Sequence, residues 1–247
     1  MNIPGYISNE FPIGQYEKLQ LNQHFPAGEI TELYVDAQTL GNLMIYFDAE
    51  EDARVLAVAE EHLLPNRVEL VGSRLEIEAN NFKNFLKHGQ AEKIRIEAHV
   101  PVNTRLDVHF GAGVLMLAGG TGDVHIKGGV GEISGYTHSH HINIKLRAGD
   151  VTLSNIQGQA ALNMNIGSIS LDWAELSGDE NVEAKCDLGS IDLHLPPAVA
   201  VMEDQGGLFL RKTVDVPFST HINAQVGFGG LDILPAAEKT KTERIPV

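Results

Sequence analysis

The 247-residue chain has one cysteine, Cys186, so no disulfide can form within it. It has one tryptophan, Trp173, and aromatic residues make up only 6% of it, which excludes a core built on bulky rings. No run of about 18 apolar residues occurs, so no membrane-spanning helix is expected. Basic residues are scarce: 18 Lys and Arg stand against 33 Asp and Glu, a net charge of −15. Nucleic acid and anionic membranes are poor partners for such a chain, because binding to them rests on cations that neutralise phosphate. The opening Met1-Asn-Ile-Pro-Gly-Tyr6 lacks a basic segment followed by an apolar one, so no signal peptide is evident. A cytoplasmic location is the default expectation, with a surface or periplasmic one left open. No phosphate-cradling loop, nucleophile elbow or Cys/His pair stands out, and no cofactor is called for.

Glycine and aliphatic residues are plentiful, with 25 glycines and 43% apolar residues. They recur as a repeat, Gly-x-φ-x-φ with φ aliphatic. The repeat reads Gly113-Val-Leu-Met-Leu117, Gly131-Glu-Ile-Ser-Gly135, Gly149-Asp-Val-Thr-Leu153 and Gly167-Ser-Ile-Ser-Leu171. It continues as Gly189-Ser-Ile-Asp-Leu193, Gly206-Gly-Leu-Phe-Leu210 and Gly229-Gly-Leu-Asp-Ile233, giving steps of 18, 18, 18, 22, 17 and 23 residues. Half a period away, the pairs Leu106/Val108, Val124/Ile126, Ile142/Ile144, Ala160/Leu162, Val182/Ala184, Val199/Val201 and Ile222/Ala224 advance by the same steps. Two series sharing one irregular spacing imply stacked coils, each step one coil. Alternation places the φ positions on one face of each strand, and stacking sets them about 4.8 Å apart in aliphatic ladders. One such ladder is Leu115, Ile133, Val151, Ile169, Ile191, Leu208, Leu231.

The fold predicted is all-β, a right-handed parallel β-solenoid (β-helix) with coils of about 18–23 residues. A single domain over 1–247 is expected, with less regular coils over 1–100, regular coils over 101–235 and a polar tail over 236–247. Early strands are expected at Ile30–Val35, Leu43–Phe47, Val68–Val71, Leu75–Glu78 and Ile94–Val100. Over Asp48–Leu64 the Ala, Glu and Leu content favours helix, in conflict with the strands around it, and a strand is expected near Arg54–Ala59. A loop is expected over Asn81–Gln90. The N-terminal strands and Phe218–Val226 would cap the open ends.

Several outward residues have the makings of sites. In Tyr136-Thr-His138-Ser-His140-His141, alternation sets His138 and His140 on one strand face, an arrangement that lets two imidazoles share a metal ion, with His141 beside them. Glu132 and Asp150 should stand side by side on adjacent coils, where they could bind Ca²⁺ or act as acid and base on a sugar; otherwise they are exposed acids. Trp173 lies on the four-residue insertion within Asp172–Asn181, so it is either a sugar or partner contact or the cover of a corner. Gly119-Gly-Thr-Gly122-Asp123 has the look of a calcium-binding nonapeptide, but it occurs once and its Asp is one residue early. Arg105, Asp123, His141 and Gln159 fall one coil apart on the outside, as do Asp107, His125 and Asn143, and both rows read as stabilising cross-strand arrangements.

The stretch Val100-Pro-Val-Asn-Thr104-Arg-Leu-Asp-Val108 leads into Gly111-Ala-Gly113 and the glycine series, which closes on Leu193-His-Leu-Pro196. With the earlier Glu32-Leu-Tyr-Val-Asp-Ala37, it resembles the bacterial adhesin-like family of β-strand-repeat domains, over about residues 28–235. The resemblance implies a single-stranded right-handed β-helix and no catalytic residues. The function expected is therefore a non-enzymatic scaffold or interaction protein, its partner an unidentified protein, a second copy of itself or a glycan. The alternatives are a glycan-binding or glycan-cleaving β-helix that uses Glu132, Asp150 and Trp173, and a metal-binding protein that uses His138 and His140.

Overall fold

The computed structural model describes residues 19–59, 64–79, 94–176, 180–196, 210–215 and 221–235. The predicted loop at 81–90, the pair Val199/Val201, the corner at Gly206 and the polar tail lie outside them. The described residues are almost entirely strand: β1 (Leu19–Pro26), β2 (Glu32–Tyr46), β3 (Asp52–Ala59), β4 (Arg67–Val71), β5 (Arg74–Ala79), β6 (Arg95–His99), β7 (Arg105–Ala118), β8 (Val124–Tyr136), β9 (His141–Ile156), β10 (Gln159–Trp173), β11 (Asn181–Leu195), β12 (Leu210–Asp215) and β13 (His221–Pro235). One short 3₁₀ turn, Ala27–Glu29, joins β1 to β2. All strands belong to one large, mostly parallel sheet.

Its regular part follows the repeat. β7, β8, β9, β10 and β11 pair in parallel, with partners 18 residues apart up to β10 and 22 apart between β10 and β11, as in Leu115↔Ile133, Ile133↔Val151, Ile169↔Val151 and Ile169↔Ile191. Residues eighteen apart are therefore hydrogen-bonded neighbours, and each strand forms one rung. The alternating φ positions of successive rungs are buried in one continuous core that runs from Ala27 to Ile233. Ile126, Ile133, Ile169, Ile191 and Leu193 have no solvent exposure. Each such side chain contributes roughly 1.5–3 kcal/mol, and only because the rungs above and below cover it.

Each rung bends in the middle at a glycine. Gly41, Gly113, Gly131, Gly149, Gly167, Gly189 and Gly229 stand in register down the sheet. At Gly149 φ is +133°, and an added Cβ would lie 1.7 Å from the carbonyl oxygen of Gly131. At Gly229 the corresponding distance is 1.6 Å, to the oxygen of Gly189. Only glycine allows the backbones to approach this closely at the corner.

Two expectations are corrected. First, no coil lies between β11 and β13: Ser190 pairs with Gly230 and Ile191 with Leu231, forty residues on. The steps of 17 and 23 together make the forty residues between Gly189 and Gly229, and β12 pairs antiparallel with β13 at the edge of the sheet, Val214 against Ile222. Ile191 therefore meets Leu231 directly in the ladder, and Leu208 lies outside the described residues. Alternation alone cannot tell a strand that stacks as a rung from one that folds back along it, because both bury every second residue.

Second, the early strands exist but do not wind in sequence order. β2 lies directly against β7, Leu33↔Leu106 and Leu43↔Leu115. On the other side of β2 sit β5, Leu33↔Leu75, and β6, Leu43↔Ile96, which share one rung between them. β3 then pairs antiparallel with β6, β1 antiparallel with β3, and β4 antiparallel with β5. The strand expected near Arg54–Ala59 is present as β3.

Candidate functional site

Trp173 is 1% exposed, and its Nε1–H donates to the carbonyl oxygen of Gly158 at 3.1 Å. The ring continues the inward series Ile169, Leu171, Trp173, so it offers no face to a ligand. What remains of the sugar-site expectation is Glu132 and Asp150, which are register partners on adjacent rungs and both exposed. Ser168, on the next rung, donates its hydroxyl to Asp150.

Thr137 to His140 lie between β8 and β9 rather than on a strand. Thr137 and Ser139 are fully buried and pin the segment. The Thr137 hydroxyl donates to the Gly120 carbonyl at 3.1 Å, and Ser139 donates its hydroxyl to the His141 carbonyl at 3.0 Å. His138 and His140 still point to the outer side, with His138 half-buried and His140 exposed. His141 turns away to Asp123, Nδ1 to Oδ1 at 3.2 Å, the cross-rung contact expected of that row. The three histidines thus go to different surroundings. Among the described residues no group of three His, Cys, Asp or Glu side chains is placed to hold a metal ion.

Two shallow clefts, each about 410 Å³, adjoin one another and share Asp48. The first is walled by Tyr46, Val102, Tyr136 and His138 over a floor of Ala118, Gly119 and Gly120. Tyr46, Ala118 and Tyr136 are register partners on three successive rungs, so the tyrosines stand about 10 Å apart. At Gly120 an added Cβ would meet the Phe47 ring at 2.9 Å, so the glycine is what leaves the floor low.

The second cleft holds two His–Asp pairs, His24 Nδ1 to Asp52 Oδ2 at 2.5 Å and His99 Nδ1 to Asp48 Oδ1 at 2.8 Å. His99 stacks on Tyr46, with ring centroids 4.8 Å apart and planes 14° from parallel. Its Nε2 faces a guanidinium nitrogen of Arg54 at 3.3 Å. Arginine can only donate, so the geometry fits a neutral imidazole that gives its Nδ1 proton to Asp48 and accepts from Arg54 at Nε2. That lone pair is then engaged, and it is the one a general base would need.

A third feature is apolar. Val130, Ile166, Leu188 and Phe228 are 54%, 53%, 47% and 78% exposed. They are register partners down the sheet, in the row Ala112, Val130, Ala148, Ile166, Leu188, Phe228, one residue before each corner glycine. Sequence reasoning missed this row, although the signal was present as an apolar residue immediately ahead of every repeat glycine except Gly206. The His–Asp pairs had no such signal, because His24, Asp48, Asp52 and His99 come together only through antiparallel pairing of β1, β3 and β6.

Among the described residues no helix is long and apolar enough to cross a membrane. No family model matches the chain, and no curated protein does. Among solved structures it is similar to a putative cell adhesion protein from Clostridium sporogenes, with 13% identity and a TM-score of 0.49, over 89% of this chain and 100% of that one.

Proposed function

We propose that the chain is a right-handed parallel β-solenoid that acts as an adhesin-like interaction module rather than an enzyme. Winding is supported by chain length. β7 has 14 residues and would run about 46 Å if straight, whereas the five residues before β8 can reach back only about 20 Å. The strand must therefore curl at its glycine so that its end returns near its start. Right-handed winding follows from the general preference of parallel crossover connections.

The observation that carries the interaction role is the exposed apolar row at the corner. An exposed apolar row in which Ile166, Leu188 and Phe228 stand on adjacent rungs, with Val130 beyond Ala148, is the usual mark of a macromolecular contact. An environment-sensitive fluorophore on Ile166→Cys tests it, since Cys186 is buried and burial also pushes its thiol pKa up, leaving it unreactive. A blue shift is expected on raising the protein concentration or on adding extract of the source cell. Unchanged emission under both conditions would defeat the reading.

A second reading, glycan binding, is favoured by the Tyr46–Tyr136 cleft. Two aromatic side chains about 10 Å apart over a glycine floor suit sugar rings that stack on them. A glycan array that shows binding lost in Tyr46→Ala and Tyr136→Ala supports it, and an array with no binding removes it.

A further inference from the structure

Two outward rows that flank the apolar row carry opposite charge, although Glu183 and Asp187 also lie on the lysine side. On the β7–β11 approach to each corner, Lys127, Lys145 and Lys185 share one outward row, with Asn163 between the last two. On the far side of the corner the row reads Glu132, Asp150, Ser168, Ser190. Lys185 pairs with Asp187 at 3.2 Å. Lys127, Lys145 and Glu132 make no ion pair among the described residues. Two lysines on adjacent rungs repel, as do two carboxylates on adjacent rungs. Among the described residues both repulsions are uncompensated, and an apolar ridge separates the opposite charges that could relieve them.

From this arrangement we infer that the ridge is the contact surface of a parallel, two-fold dimer of the chain, with the two-fold axis running along the stacking direction. This rests on the interaction reading above and names the partner. A two-fold axis along the ridge brings the lysine flank of one copy over the acidic flank of the other at the same rung. Lys127 then faces Glu132 and Lys145 faces Asp150, on both sides of the ridge. An axis across the ridge would set lysines against lysines and acids against acids. The parallel arrangement also lays Ile166, Leu188 and Phe228 against their own counterparts.

The ridge spans six rungs, about 24 Å, so it buries on the order of 400 Å² per copy, below the roughly 800 Å² of a standard interface. The dimer is accordingly a weak one, populated at high concentration.

Sedimentation velocity from about 1 µM to about 1 mM covers the range in which a contact of this size associates. The wild type is expected to shift from monomer to dimer across it. K127E/K145E places acids against acids, and E132K/D150K places lysines against lysines, so each alone should dimerise at least about tenfold more weakly. All four substituted residues are outward-facing, and circular dichroism checks that both variants fold. Mixed one to one, the two variants restore opposite charges on both flanks and should form a heterodimer.

A wild type that stays monomeric throughout, charge variants that dimerise as well as the wild type, or a mixture that fails to associate would each overturn the inference. The fluorophore on residue 166 separates the two levels. A shift with cell extract but none with added protein removes the dimer and keeps the interaction module.

Discussion

Between Arg105 and Leu195 five long strands stack in parallel, with a glycine at every corner but few ion pairs. From β1 to β6 the strands run in both directions and charge is concentrated on the outer face. Arg67 of β4 contacts Glu69, Glu76 and Glu78, the last two at 3.1 Å, and Arg95 of β6 contacts Glu97 at 2.5 Å. Both regions bury an alternating aliphatic face. They differ in what lies beyond the last buried rung. Inside the stack, the next rung satisfies the backbone and covers the side chains. Among the described residues the N-terminal end of the sheet is formed instead by antiparallel pairs, β1 with β3, β3 with β6 and β4 with β5. At β4 the Arg67–glutamate cluster gives a charged edge that discourages another chain from pairing. Stacking thus depends on close backbone approach, and capping depends on side-chain chemistry.

Substitutions that respect or violate this difference should separate the regions. The largest effect is expected from Ile169→Asp, which puts an unpaired charge where exposure is zero and should abolish the cooperative thermal transition. Thr152→Asp, on the outer face of the neighbouring rung, should melt like the wild type; equal damage from both would mean the strand phase is wrong. Next is Gly149→Ala, which meets both a positive φ and the Gly131 oxygen and should lower stability by about 3 kcal/mol in a denaturant titration. Its counterpart is Gly72→Ala, in the β4–β5 hairpin at φ +62° with open space around it, where the loss should be only about 1 kcal/mol. A reversal of that order would contradict the contrast drawn here.

Trp173→Phe keeps the ring in the core but leaves the Gly158 carbonyl without its donor, a loss of about 1–3 kcal/mol by chemical denaturation. The smallest effect is expected at the charged hairpin. The hydrogen bond from Arg67 holds the Glu69 carboxyl below the usual glutamate range. A lowered folded pKa means that the pair stabilises above the ordinary glutamate value and is lost as pH falls through the lowered one. Arg67→Ala should therefore speed amide exchange in β4 and β5 near neutral pH, with the difference fading in acid and little change in melting temperature. Acceleration spread over β7 to β11 would show that the hairpin is not a separate cap.

The regular rungs were legible because glycine spacing and alternation report the same geometry, at Gly113, Gly131, Gly149, Gly167 and Gly189. The same signal was misleading in counting a coil at Gly206, since β11 pairs directly with β13. It was also underused at Trp173, whose inward position follows from Ile169 and Leu171. The strand expected near Arg54–Ala59 is present as β3 despite the helical composition, since Ala53, Val55, Ala57 and Ala59 alternate into the core. The placement of β5 and β6 together on one rung was not legible. It depends on which edge remains available after β2 and β7 pair, and no local pattern encodes that. Of the candidate side chains, the adjacency of Glu132 and Asp150 followed from the repeat. The Tyr46–Tyr136 cleft and the two His–Asp pairs needed the register between distant strands.

Lateral stacking in register is tested most directly by dipolar broadening between nitroxide labels on engineered cysteine pairs, with buried Cys186 unlabelled. Thr152 and Ser170 are register partners eighteen residues apart, and Asp192 and Asp232 are partners forty apart. Both labelled pairs should broaden strongly, as neighbours on strands about 4.8 Å apart must. Sharp, unbroadened spectra from the 152/170 pair would contradict the stack itself. Broadening there but not at 192/232 would put a further rung between β11 and β13.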